Sequence, residues 1–151
     1  MDQLFTFTYH RYDSFLEIPT PDMALIKEAI GATKRSSAPY SNFRVGAAAR
    51  LRSGKIIYGS NFESEVYPAG ICAERSLLFS TAANNPDNPI EAIAIASMPD
   101  SRECTPCGLC RQSLLDTERR QGSPIKVIMC SGSTATVVES AEMLLPFSFV
   151  L

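Results

Sequence analysis

Three cysteines in two short stretches of the sequence have a spacing that suits metal binding. Cys107 and Cys110, in PCGLC, are three residues apart, so a helix that begins there points both thiols to one side. Cys72, in GICAERSLL, stands at another predicted helix start, where the helix dipole favours the thiolate that binds metal. We expect these two helix starts to face each other across a sheet. Three thiolates and one open position form a catalytic zinc site, whereas a structural zinc takes four protein ligands.

Glu74 is the residue beside these cysteines that can move protons. It follows Cys72 by two residues, within the first turn of the same predicted helix. A carboxylate beside a metal-bound water can accept its proton and pass it on, which joins general acid–base catalysis to metal activation. The pattern therefore favours hydrolytic chemistry at a metal.

The cysteine spacing also leaves other interpretations open. Cys107 and Cys110 alone fit a structural zinc pair or a redox CxxC motif. Together with Cys104 they resemble the start of a ferredoxin cluster motif, but the required fourth cysteine and proline are replaced by RQSL. We therefore expect Cys104 to be a loop thiol and Cys130 a buried strand residue. His10, the only histidine, lies far along the chain from these motifs, so a catalytic histidine is not expected.

The hydrophobic pattern predicts a layered α/β domain with a mixed sheet around these residues. Predicted strands cover residues 4–9, 43–49, 55–61, 90–97 and 125–130. Predicted helices cover residues 20–34, 72–83 and 108–120, with a short one at 141–145. The last two predicted strands are nearly continuous apolar runs, which is typical of strands covered on both faces.

Composition excludes several classes of protein. The 151 residues include 14 Lys and Arg against 16 Asp and Glu, a net charge of −2 that argues against nucleic-acid binding. No apolar stretch approaches the roughly 20 residues of a membrane span, so no membrane partner is expected. Five cysteines make a poor disulfide framework, and the first residues do not resemble a secretory signal. A reducing compartment, the cytoplasm, is therefore expected.

Several motifs together resemble one family. CAER at residues 72–75 and PCGLCRQ at 106–112 resemble the two zinc motifs of the cytidine deaminases. Further matches are APYSNFRVGAA from residue 38, Asn61-x-Glu63, YPAGICAER and LLPFSF, in family order. The resemblance implies one domain over residues 1–151, with a three-layer α/β/α fold and a mixed sheet of about five strands. Residues 1–19 have no obvious counterpart in the family. They could form an additional edge strand or an arm that contacts another subunit, and the sequence does not decide between these.

The resemblance also implies an activity, a cofactor and an assembly. The activity is zinc-dependent hydrolytic deamination of cytidine and deoxycytidine, with release of ammonia, in pyrimidine salvage. One Zn²⁺ per chain is implied, held by Cys72, Cys107 and Cys110. Cysteine at the first of these positions resembles the short branch of the family, which implies a homotetramer with shared active sites.

Roles for individual residues follow from the same resemblance. Glu74 is implied as the acid–base group, and Arg75 as a hydrogen-bond donor to the zinc thiolates that offsets their charge. For a small nucleoside, the resemblance implies that Phe43 packs against the pyrimidine and that the Ala73 backbone contacts the base. Asn61 and Glu63 are implied to hydrogen-bond the ribose 3′-hydroxyl. Three aromatic residues, some of them from neighbouring subunits, are implied to complete the pocket: Tyr40, Tyr67 and Phe149.

Two alternatives to a cytidine deaminase also fit the sequence. One is a deaminase of another aminopyrimidine, such as blasticidin S or a deoxynucleotide, although no basic cluster near the motifs offers a phosphate site. Ser64 and Glu65 depart from the family's usual Asn-Ala, in a loop that touches a neighbour's ribose. The other alternative is a non-catalytic, zinc-stabilised interaction domain, which would need no Glu74 and would prefer four closed ligands.

Overall fold

A single mixed sheet with three main helices organises the chain, whose computed structural model describes residues 1–151. The strands are β1 His10–Tyr12, β2 Arg44–Leu51, β3 Ile56–Ser60, β4 Ile90–Met98, β5 Lys126–Cys130 and β6 Ala135–Val138. The helices are α1 Thr20–Ala32, α2 Ala73–Asn84 and α3 Gly108–Gln121, with short 3-10 helices at Phe15–Glu17, Thr33–Arg35, Tyr67–Ala69 and Ala141–Leu144. None of the helices is long and apolar enough to cross a bilayer.

The sheet has the order β1-β6-β5-β4-β2-β3. Only β4 and β5 run parallel, and α3 connects them; every other neighbouring pair is antiparallel. The mixed sheet is confirmed, but it has six strands where we expected about five. The predicted strand at residues 4–9 is wrong, since pairing begins only at His10, and the short strand β6 was not predicted.

The helices divide between the two faces of the sheet. On one face, α1 packs Leu25, Ile26 and Ala29 against the sheet. On the other face, α2 and α3 bury Leu77 and Leu114 against it. The three-layer α/β/α architecture is thereby confirmed. The expectation that the two cysteine-bearing helix starts face each other across the sheet is wrong, because α2 and α3 pack side by side on one face.

Gly59 sets the distance between α2 and the sheet. A Cβ atom at this position in β3 would lie 2.8 Å from the Leu77 Cβ and still closer to the Ala73 carbonyl oxygen. Only a residue without a side chain allows this approach. The close packing fixes where the first turn of α2, which follows Cys72, lies relative to α3.

Candidate active site

The starts of α2 and α3 bring three thiols together. Cys72 is the residue before the first turn of α2, Cys107 occupies the same position in α3, and Cys110 lies in the first turn of α3. Their sulfur atoms all lie within 4.8 Å of one another, and the Cys107 and Cys110 sulfurs are 3.7 Å apart. Local helix geometry therefore supplies the pair, and packing of α2 beside α3 adds the third thiol.

The three thiols fit a zinc ion. Tetrahedral zinc with Zn–S bonds of about 2.3 Å places its sulfur ligands about 3.8 Å from one another. The Cys107 and Cys110 sulfurs match this value at 3.7 Å, no separation among the three exceeds 4.8 Å, and thiolates are the soft ligands that suit zinc. Because the chain supplies only three close donors, one coordination position is left for a solvent molecule or substrate.

Arg75 provides positive charge at the thiols. Its Nη2 donates to the Cys72 Sγ at 3.8 Å, while its buried Nε has no hydrogen-bond partner. A hydrogen bond from the Cys110 thiol, with a further contribution from Arg75, lowers the pKa of Cys72 to about 5. Donating that hydrogen bond raises the pKa of Cys110. The site thus favours a thiolate at Cys72, the form that binds metal.

Glu74 is buried beside this cluster. Its side chain is 4% exposed, and burial raises its pKa to about 7, with the Cys72 thiolate adding to the effect. A carboxyl group in this range holds a proton and gives it up with nearly equal ease at neutral pH. The environment therefore suits Glu74 to proton transfer.

The other two cysteines lie outside the cluster of three. Cys104 is in the loop before α3 and is buried, which raises the pKa of its thiol to about 11, with the Glu74 charge contributing. Cys130 is in β5, where burial raises its pKa to about 12 and its thiol donates to the Ile95 carbonyl. Neither thiol belongs to the group of three sulfur atoms that lie within 4.8 Å of one another, so neither is placed to share a metal ion with it.

A cavity of about 410 Å³ opens beside the thiols. Five of the predicted substrate residues line it together with Cys72, Cys107, Glu74 and Arg75: Tyr40, Phe43, Asn61, Glu63 and Tyr67. The cavity therefore joins the metal-binding cysteines to the side chains expected to hold a nucleoside.

Asn61 holds the wall of the cavity together. Its Oδ1 accepts from the Val45 backbone amide at 2.8 Å and from the Ser36 hydroxyl, and its Nδ2 donates to the Phe43 carbonyl at 2.9 Å. Because a backbone N–H faces the Asn61 oxygen and a backbone carbonyl faces its nitrogen, the side-chain amide can adopt only one orientation. One hydrogen on Nδ2 remains to serve a ligand.

Glu63 presents an ionised carboxylate to the cavity. Its Oε1 accepts from the backbone amides of Tyr40 and Ser41, at 3.0 and 3.1 Å. Hydrogen bonding from Ser41 and from these amides holds the pKa of Glu63 below its usual value. Because both bonds use Oε1, the other carboxylate oxygen can accept from a ligand hydroxyl.

Two predicted residues do not line the cavity within one chain. The Ala73 side chain is fully buried at the start of α2, which leaves only its backbone as a contact. Phe149 lies over α3, where Arg119 donates to its carbonyl at 3.5 Å, and its side chain is 70% exposed.

The sequence did not single out several lining residues. Val45 follows Phe43 by two positions, and strand alternation predicts that both point to one side. Phe62 and Ile71 meet through an isolated bridge that closes the loop between them, and no local pattern indicates that contact. Gly70 and Thr105 also line the cavity without any signal in the sequence, whereas Ser64 and Cys104, which complete the lining, were expected in a ribose-contacting loop and as a loop thiol.

Comparison with known proteins places this site in a family. The family profile described as the cytidine and deoxycytidylate deaminase zinc-binding region matches residues 19–122. The chain belongs to this family. The match includes the three clustered cysteines, Glu74 and Arg75, and it confirms the family predicted from the sequence motifs.

Individual members of the deaminase family are similar over most of the chain. A cytidine deaminase of Halalkalibacterium halodurans is 41% identical over 93 residues, which are 61% of this chain and 68% of that protein. A probable cytidine deaminase of Dictyostelium discoideum is 33% identical over 124 residues, 82% of this chain and 80% of that protein. The crystal structure of a Burkholderia pseudomallei cytidine deaminase, 37% identical, superposes with a TM-score of 0.73 over 83% of this chain and 97% of that one.

Proposed function

We propose that this chain catalyses the zinc-dependent hydrolytic deamination of cytidine and deoxycytidine to the uracil nucleosides, with release of ammonia. The observation that carries the proposal is a buried carboxyl group, Glu74, beside three clustered thiols in a cavity of nucleoside size. A zinc-stabilised interaction domain would not require a buried carboxyl group beside its metal ligands. The named cytidine deaminases among the relatives support the same activity.

Cys72, Cys107 and Cys110 would hold the zinc, one ion per chain. Zinc in such a site supplies Lewis-acid activation of a nucleophilic water. Arg75 offsets part of the negative charge of three thiolates through its contact with the Cys72 sulfur.

Glu74 carries the protons of the reaction. Its carboxylate accepts a proton from the attacking water and delivers it to N3 of the pyrimidine, and then assists departure of the amino group from C4. Each proton that the carboxylate accepts is delivered at the next step, so one group serves throughout. Burial excludes bulk water from this carboxyl group and favours its protonated form, so that the group can pass on the proton it accepts.

The cavity wall positions the nucleoside. Phe43 is half-buried and packs against the pyrimidine, while the backbone of Ala73 contacts the base. The free hydrogen on Asn61 Nδ2 and the free oxygen of Glu63 bind the ribose 3′-hydroxyl, one as donor and the other as acceptor. Ribose and deoxyribose share this hydroxyl, so both nucleosides are accepted.

The charges around the cavity favour a nucleoside over a nucleotide. Arg75 is the only Lys or Arg side chain among the lining residues, and it is directed at Cys72. Glu63 and Glu74 add negative charge. A phosphate in this cavity would meet repulsion and no free cation, so dCMP is expected to be a poor substrate.

We also propose a homotetramer that shares its active sites, in a single domain over residues 1–151. Tyr67 is 87% exposed and Phe149 is 70% exposed, as expected of aromatic residues that a neighbouring subunit covers. All five cysteines are free thiols, and the zinc site needs three of them reduced. We therefore place the enzyme in the cytoplasm, in pyrimidine salvage.

Incubation of zinc-loaded protein with cytidine, deoxycytidine, dCMP and blasticidin S, followed by ultraviolet absorbance, tests the proposed substrates. We expect turnover of the first two and little of the others. Turnover of only blasticidin S, or of only dCMP, would show that the proposed substrates are wrong. No turnover of any of the four by protein that holds one zinc per chain would contradict the enzymatic function and favour a binding domain.

A further inference from the structure

An extended aromatic segment precedes the edge strand of the sheet. The rings of Phe5, Phe7 and Tyr9 follow one another with centroid separations of 6.3 and 6.2 Å. Alternate residues of a β-strand lie about 6.6 Å apart and on the same side. These three rings therefore share one face, with Thr6 and Thr8 between them.

Nothing within the chain covers this segment. Leu4 is 90% exposed, the three rings are 45–58% exposed, and none of them belongs to either hydrophobic core cluster. The segment continues into β1, which pairs with β6 on one side and forms the edge of the sheet on the other. The family profile begins only at residue 19, so the segment lies outside the matched deaminase region.

The segment lacks the features that protect exposed strand edges. Proteins usually block such edges with charged residues, proline or bulges. Residues 3–9, QLFTFTY, contain no charge and no proline. An uncharged, alternating strand with one aromatic face is suited to pairing with another strand.

We propose that residues 3–11 pair in antiparallel fashion with the same residues of a second copy of the chain, with Phe7 on the two-fold axis. In this register Phe5 lies opposite Tyr9 and Thr6 opposite Thr8, so six aromatic rings form one continuous face. A shift of one residue would divide the rings between both faces. The two six-stranded sheets are then joined edge to edge through this paired segment.

Charge favours this antiparallel arrangement. In this register Arg11 of one copy lies opposite the neutral Gln3 of the other, so no two like charges face each other within the ribbon. Parallel pairing in register would instead place Arg11 against Arg11 and Asp2 against Asp2, and like charges directly opposite each other destabilise a strand pair.

The buried area indicates an interface of modest affinity. A fully exposed Phe or Tyr side chain presents about 150–250 Å², so the half-exposed rings offer about 100 Å² each, or about 600 Å² for six. Pairing edge to edge covers only the sides of the rings that face the other strand, so the buried area stays below the roughly 1,200 Å² at the lower limit of specific interfaces. The association is therefore expected to be weak and to depend on protein concentration.

Cysteine cross-linking of the full-length, zinc-loaded protein tests the register. Phe7→Cys places a thiol opposite its own copy, so mild oxidation is expected to give a covalent dimer. Phe5→Cys is the matched control from the same face, because Cys atoms at this position would lie about 13 Å apart. The unsubstituted chain controls for its own five cysteines. Equal cross-linking of the two variants, or none in Phe7→Cys, would overturn the proposal.

Sedimentation velocity provides a second test, which is independent of catalysis. Phe7→Lys places like charges on the two-fold axis and is expected to lower the average molecular mass at a given concentration. Leu16→Lys is the control, since Leu16 is 97% exposed and lies outside the paired segment. The same mass for Phe7→Lys and the unsubstituted chain would contradict this interface. The proposed tetramer is judged separately, because a mass of four chains in Phe7→Lys would support the tetramer without this interface.

Discussion

Gly59 connects the packing of the fold to the metal site, and Gly59→Ala tests that connection. The added Cβ would lie 2.8 Å from the Leu77 Cβ and 2.9 Å from its backbone nitrogen. Carbon atoms in contact normally stay about 3.5–4.0 Å apart, so α2 must move away from the sheet by about 1 Å. Overpacking of this kind costs about 1–3 kcal/mol of unfolding free energy.

The same movement of α2 displaces Cys72 from the thiols of α3. Zinc–ligand distances tolerate changes of only about 0.2 Å, so a displacement of about 1 Å is expected to weaken zinc binding at least tenfold. Urea unfolding measures the loss of stability, and competition with a chelator measures zinc affinity.

Gly31→Ala is the matched control for Gly59→Ala. Gly31 lies in α1, where an added Cβ would meet no atom within 4 Å, so the substitution is expected to stabilise the helix by about 0.5–1 kcal/mol. Zinc affinity should stay unchanged. If Gly59→Ala matched the unsubstituted chain in both unfolding free energy and zinc affinity, the proposed link between sheet packing and the metal site would be wrong.

Three further tests address separate parts of the account. Mass spectrometry is expected to show no zinc in Cys110→Ser and one zinc ion per chain in Cys104→Ser. Loss of zinc in Cys104→Ser would show that the ligands are misassigned. Arg75→Gln removes the hydrogen bond to the Cys72 sulfur and should lower zinc affinity about tenfold in chelator competition, and unchanged affinity would refute this role. Glu118→Gln replaces a buried carboxylate, which accepts from the backbone amides of Ile125 and Ala141, with a neutral amide. Urea unfolding should show a loss of about 2 kcal/mol of unfolding free energy while zinc is retained. An unchanged unfolding free energy would argue against this contribution.

The sequence predicted the features that depend on local geometry. A spacing of three residues at a helix start places Cys107 and Cys110 on one side wherever that helix packs. The β2–β3 hairpin and the buried strands β4 and β5 were likewise predicted from alternation and apolar runs, and the structure confirms them.

Features that depend on packing between distant segments were not predicted correctly. Alternation at residues 4–9 describes a strand but does not show what pairs with it, and within one chain nothing does. The short strand β6 has little pattern of its own and forms because β1 and β5 lie on either side of it. The side-by-side packing of α2 and α3 also depends on contacts that no local pattern encodes.

The most direct test of the proposed chemistry is the rate at which Glu74→Gln deaminates cytidine. Gln keeps the shape of the buried side chain but cannot carry a proton, so zinc-loaded Glu74→Gln should retain one zinc per chain. Its kcat is expected to fall by about 10²–10⁴-fold. A zinc-loaded variant that turns over cytidine within a few-fold of the unsubstituted enzyme would contradict the role of Glu74 as the proton carrier.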